Sequence, residues 1–160
     1  MKSIEIENVK QFTTQLFAGT AFDDFLAVEA TFLTAATFTI DGHINPGFLD
    51  EEQLQFPENQ EGILHWKKLK AICFEIIKGK KVPQRFKIIF KMPKSKIEIF
   101  LRQSGLSVPT EQISGLFLNI NYQGGKLYCT TGASLKIFTM DKSLENQWDE
   151  YMSNQLKKFA

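Results

Sequence analysis

Cysteine, histidine and arginine are scarce, with two of each in 160 residues. Cys73 and Cys129 stand far apart and form no metal-type spacing, so they read as small buried side chains of a reduced, cytosolic protein. Apolar runs are short as well. None approaches the roughly 20 residues that a membrane-spanning helix needs, and no membrane partner is expected. Met1-Lys2 leads directly into alternating Ile4-Glu5-Ile6, which predicts no leader peptide and a cytoplasmic location. The glycine-bearing stretches QGGK (123–126) and TTGAS (130–134) lack both the G-x-x-x-x-G-K-[ST] spacing and the strand-to-helix context of a phosphate loop. They read as turns. No nucleophile–base–orienter set stands out, and neither a cofactor nor a metal is expected.

Phenylalanine and lysine, by contrast, are plentiful: 15 Phe, and 17 Lys among the 19 basic residues. AT-rich coding accounts for that lean without invoking function. A net charge of +1 and 43% hydrophobic residues are ordinary for a soluble globular protein. The length fits a single domain, 1–160, with a real core.

Hydrophobic periodicity supplies the elements. Residues 115–141 are the clearest: Leu116, Leu118, Ile120 and Tyr122 alternate with Phe117, Asn119 and Asn121, Gly124-Gly125 makes a tight turn, and Lys126–Thr131 returns. Thr131-Gly132-Ala133-Ser134 is expected to break that strand, and Leu135–Thr139 to form a third. Earlier in the chain, Lys2–Ile6 reads as a strand. Asn8 and Gln11 have capping-box spacing for a helix bearing Val9, Phe12, Leu16 and Phe17 on one face. Phe22–Leu33 and Thr37–Ile40 read as strands, with Asp41-Gly42 as a hairpin turn returning through His43-Ile44. Residues 49–61 form an acidic surface connection. Ile63–Lys78 predicts an amphipathic helix whose apolar arc includes His65, Trp66, Leu69, Ile72 and Cys73. Gln84–Met92 and Lys96–Arg102 are expected to pair across a Pro93-Lys94-Ser95 turn. A loop with one turn after Pro109 follows, and a last helix capped by Asp141 or Ser143 carries Leu144, Trp148, Tyr151, Met152, Leu156 and Phe159. The class is α+β, with antiparallel sheets and packed helices.

Strand, helix and several strands then echo a second time. That order resembles one domain of the sliding clamps that hold polymerases on DNA. MKSIEIENVKQFTTQLF (1–17) looks like the strand and inner helix that open such a domain. WKKLKAICFEIIKG (66–79) sits where a second inner helix would, and LFLNINYQGGKLYCTTGASLKIF (116–138) is similar to the clamp's strand–turn–strand pattern. The resemblance implies a repeat of strand, helix and three strands, and it places Lys67, Lys70 and Lys78 on a helix facing DNA. The carboxy-terminal helix at 143–159 has no counterpart there, and a bacterial clamp subunit has three such domains. Separately, TTGASLKIFTMDKSLENQWDE (130–150) is similar to the tail of a small bacterial family of unknown function, which implies no activity.

Charge is unevenly distributed. Lys67 to Arg102 holds ten Lys and two Arg against Glu75 and Glu98, a local +10 in a chain of +1. The leading expectation is therefore a non-enzymatic binding protein. It would engage nucleic acid through a basic helix and hairpin surface made of Lys67, Lys70, Lys78, Lys80, Lys81, Arg85, Lys87 and Lys91. An alternative is a protein-interaction or scaffold domain, with a protein partner or a second copy as its occupant and lysines that only solvate it. A third is a small enzyme in which His43 meets Asp50, Glu51 and Glu52. Asp23 and Asp24, adjacent in an expected strand, would face opposite sides and form no acid–base pair.

Overall fold

A computed structural model describes residues 1–159. The chain runs β1 (Ser3–Ile6), α1 (Val9–Phe17), β2 (Leu26–Leu33), β3 (Thr37–Asp41), a one-turn α2 (Glu51–Leu54), α3 (Trp66–Ile77), β4 (Arg85–Lys91), α4 (Lys94–Ser104), β5 (Ile113–Gln123), β6 (Lys126–Leu135) and α5 (Ser143–Leu156). In the described residues the strands form one antiparallel sheet in the order β1-β6-β5-β4-β2-β3. The α+β class is as the sequence indicates.

Local signals explain the best-defined pieces. Asn8 Oδ1 accepts the Gln11 N–H at 3.2 Å and starts α1. Gly124 and Gly125 take φ of 62° and 81° and close the β5–β6 hairpin, a backbone shape that side chains with a Cβ resist. Register then decides what each face holds. Phe86, Ile88 and Phe90 of β4 lie opposite Tyr122, Ile120 and Leu118 of β5, and the latter two lie opposite Cys129 and Thr131 of β6. These residues share one face, and all except half-buried Tyr122 are buried.

All four long helices cover that face. Trp66 of α3 meets Phe90 at 5.3 Å between ring centroids and Phe17 of α1 at 5.8 Å, and Phe17 meets Phe86 at 5.8 Å. The Trp66 indole N–H donates to the Leu16 carbonyl at 2.7 Å, satisfying one of the open carbonyls at the end of α1. On the β6 side, the Thr131 hydroxyl donates to Asp149 of α5. Trp148 of the same helix packs on Phe100 of α4 at 5.7 Å.

Four expectations are corrected. Residues 94–104 are a helix, not the return arm of a hairpin, because Ile97, Phe100 and Leu101 recur at helical spacing and are buried, whereas Ile99 is exposed. Leu135–Thr139 forms no third strand; β6 continues through Gly132 to Leu135, and Ile137, Phe138 and Met140 stand exposed in the loop that follows. Asp41-Gly42 is not a turn. The β2–β3 connection is at 34–36, and Gly42 passes so close to β2 that a Cβ would lie 1.7 Å from the Ala27 carbonyl oxygen. Finally, two strands rather than three follow α1, α4 interrupts the three strands that follow α3, and all six share one sheet, so the element order departs from the clamp repeat.

Trp66→Phe removes the buried donor to Leu16 and part of the aromatic packing. It should cost about 1–3 kcal/mol, read as a lower urea midpoint at unchanged m-value. Phe138→Ala, in the exposed loop, should leave the midpoint in place.

Candidate nucleic-acid interface

Among the described residues, the sheet's second face has no helix on it. From β4 it displays Arg85, Lys87, Ile89 and Lys91, which alternate with the buried phenylalanines. The facing positions on β5 are Gln123, Asn121, Asn119 and Phe117, and those on β6 are Lys126, Tyr128, Thr130 and Gly132. Glu29 and Thr31 of β2 lie on the other flank of β4, and Glu5 of β1 lies beyond Tyr128.

The eight basic residues expected to form one surface divide among three places. Lys67, Lys70 and Lys78 belong to α3, in the helical layer behind the sheet, and each has a carboxylate partner. The Lys70 ammonium donates to Asp23 Oδ1 and to the Gly19 carbonyl, both at 2.7 Å, and Lys70 and Asp23 are each only 18% exposed. This lysine ties α3 to the α1–β2 connection. Lys78 pairs with Glu75 at 2.6 Å, and Lys67 lies 4.0 Å from Glu58. Lys80 and Lys81 are exposed in the α3–β4 connection at the end of the sheet.

Arg85, Lys87 and Lys91 sit on the open face, and among the described residues none has a carboxylate within 4.0 Å. The other open-face cation, Lys126, is 3.8 Å from Glu5. A basic row along the centre of the sheet is thus flanked by carboxylates at Glu29 and Glu5. Beside that row, Asn119 Oδ1 is shielded and accepts no hydrogen bond from the protein. The Phe117 ring lies across the backbone at Gly115, where an added Cβ would come within 2.6 Å of it. Tyr128 is exposed, and its hydroxyl donates to Glu5 at 3.0 Å. The asparagine and aromatic positions were not singled out from sequence. Their signal was the alternation of the hairpin itself, which marks each polar or aromatic residue between buried neighbours as outward-facing.

Metal and catalytic readings gain no geometry. The His43 ring Nδ1 is 2.6 Å from Asp41 Oδ1. Asp41 is held below the usual carboxylate range, mainly by the His43 backbone N–H and then by the ring. Asp50 is occupied in a capping box with Gln53 at the start of α2. No group of three or more metal-ligating side chains occurs among the described residues. A cleft of about 240 Å³ between the 21–25 turn and α5 is lined by Phe22, Phe25, Tyr151 and Leu156, with an Asp24–Lys96 pair at 3.7 Å, and His43 is not part of it. Burial pushes the thiols of both Cys73 and Cys129 up to about 12, so each stays protonated through neutral pH and serves packing. Among the described residues no helix is long and apolar enough to cross a membrane.

Lys70→Ala strips a half-buried carboxylate and a carbonyl of their donor. It should lower stability by about 1–3 kcal/mol, with Lys67→Ala and Lys78→Ala within about 0.5 kcal/mol of wild type in the same urea titration. Neither cysteine should react with a thiol-specific disulfide reagent at pH 8 until denaturant is added.

No curated protein and no solved structure matches the chain, so no structural neighbour supports the clamp topology. A family model does match, over residues 15–160. With that coverage, the chain belongs to the family described as "Family of unknown function (DUF5721)".

Proposed function

We propose that the protein is a non-enzymatic binder of single-stranded nucleic acid, and that the open face of the sheet is its binding surface. The observation that carries this reading is the difference in pairing: Lys67, Lys70 and Lys78 have carboxylate partners, whereas among the described residues Arg85, Lys87 and Lys91 have none and lie in one row. Alternate residues of a strand are about 6.8 Å apart, so the row presents cations along some 20 Å, a track suited to an extended phosphate backbone. Tyr128 and Phe117 offer rings to unstacked bases, and Asn121 offers its amide to base edges. A flat face of this kind suits single strands better than duplex, whose major groove takes a protruding helix or ribbon.

A second reading, a protein-interaction domain, draws on a different feature. Ile137, Phe138 and Met140 are 52%, 91% and 82% exposed in one loop, apolar side chains of the kind that a protein partner covers.

Fluorescence anisotropy of labelled single-stranded and duplex oligonucleotides, titrated at several salt concentrations, separates the two. The expected result is tighter binding to single strands, with log K falling against log salt with a slope of about −2 for three contacted phosphates. Arg85→Glu/Lys87→Glu/Lys91→Glu should abolish it, while Lys67→Glu/Lys78→Glu keeps it. An absence of binding at low salt, or equal loss in both variants, sinks the sheet-face reading. The protein-interaction reading would then lead.

A further inference from the structure

The sheet has two edges, and they differ. β1 carries Glu5, is flanked by Lys2 and Glu7, and hands the chain to α1 at Asn8, whose N–H donates to the Phe159 carbonyl. Charges of this sort are what keep exposed edges from pairing with other chains. β3 has a charge only at its last residue, Asp41. Thr37-Phe38-Thr39-Ile40 is uncharged, free of proline and unbulged, and Phe38 is 43% exposed.

The direction of its free backbone groups follows from register. Gly42 N–H donates to the Val28 carbonyl at 3.0 Å, and Thr34 N–H to the Ala36 carbonyl at 2.9 Å. Both bonds fall on even-numbered pairs of the β2–β3 ladder, in which Ala30 faces Ile40 and Phe32 faces Phe38. In an antiparallel ladder the bonded pairs alternate, so the even residues of β3 are engaged with β2. The N–H and C=O groups of Thr37, Thr39 and Asp41 therefore point away from the sheet.

We propose that this edge pairs with the same edge of a second copy of the chain, antiparallel, about a two-fold axis at Thr39. That register is self-complementary. Thr39 meets its own copy, and Thr37 meets Asp41 of the other chain, which gives six backbone hydrogen bonds from groups that are otherwise free. Phe38 falls opposite Ile40 at the closely spaced non-hydrogen-bonded pair, apolar against apolar. Asp41 faces a threonine rather than another carboxylate. The contact is isologous and closes, so it yields a dimer of twelve continuous strands and no filament through this edge. A five-residue edge buries less than the ~1,200 Å² of a permanent interface, so the dimer depends on concentration.

Sedimentation velocity over a wide concentration series tests this, alongside amide exchange at the two ends of the series. The expected result is a monomer–dimer equilibrium, with exchange at Thr37, Thr39 and Asp41 slowing as concentration rises while Phe38 and Ile40 stay protected throughout. Thr39→Pro deletes only an outward N–H, and Thr39→Lys sets two like charges at the axis. Both should remain folded by circular dichroism and sediment as monomers. A wild type that stays monomeric across the series overturns the proposal, as does a dimer that persists in both variants.

Discussion

The seating of Trp66 between α1 and β4 is the contact on which most of the architecture depends. The indole packs on Phe17 and Phe90, and its N–H takes up the Leu16 carbonyl, so one side chain joins two helices to the centre of the sheet. An apolar ring at this position would fill space but leave a buried carbonyl unanswered, and an unpaired buried acceptor costs more than a hydrogen bond gains. The tryptophan thus fixes relative position as well as volume. Lys70, one turn further along α3, acts in the same direction by tying the helix to Gly19 and Asp23.

One-sided covering follows from this arrangement. With α1, α3, α4 and α5 all on the Phe86–Ile88–Phe90 face, the other face must be tolerable in water. Its residues show how: Arg85, Lys87 and Lys91 on β4, asparagines on β5, threonines on β2 and β6. Solvating a sheet face needs polar side chains, but it does not need three cations in one row with no carboxylate partner among the described residues. Phe117 and Ile89, half-buried among those cations, are likewise more than solubility requires.

The parts legible in the sequence were those settled by local pattern. The β5–β6 hairpin announces itself by alternation and a glycine pair, and α1 by its cap and its apolar spacing. Residues 96–102 were ambiguous for a physical reason. Lys-Ile-Glu-Ile-Phe-Leu-Arg satisfies period 2 through Ile97, Ile99 and Leu101, and it satisfies a helical period through Ile97, Phe100 and Leu101. Only tertiary packing, which buries Phe100 against Trp148 and leaves Ile99 out, separates the two. Gly42 misled similarly. Glycine there serves a close crossing with Ala27, and sequence alone does not distinguish a crossing from a turn. Gly132 continues the strand instead of breaking it, paired opposite Phe117 in the ladder.

The candidate surface was legible only as a sum of charge. The stretch from Lys67 to Arg102 is strongly basic in sequence, yet a linear count is blind to partners that folding brings in. Asp23 lies 47 residues from Lys70 and still lies 2.7 Å from its ammonium. Glu58 approaches Lys67 in the same way. Strand alternation then sends Arg85, Lys87 and Lys91 to the side of the sheet opposite α3. What reads as one basic patch in the sequence becomes Lys70 holding a helix in place, Lys67 and Lys78 in surface ion pairs, Lys80 and Lys81 exposed at the end of the sheet, and a basic row on its open face. Long-range pairing, which a linear charge count does not see, takes Lys67 and Lys70 out of that sum. Arg85, Lys87 and Lys91 on β4 have no carboxylate partner among the described residues, and they stand beside the asparagines and rings of a hairpin whose sequence reads as architecture alone.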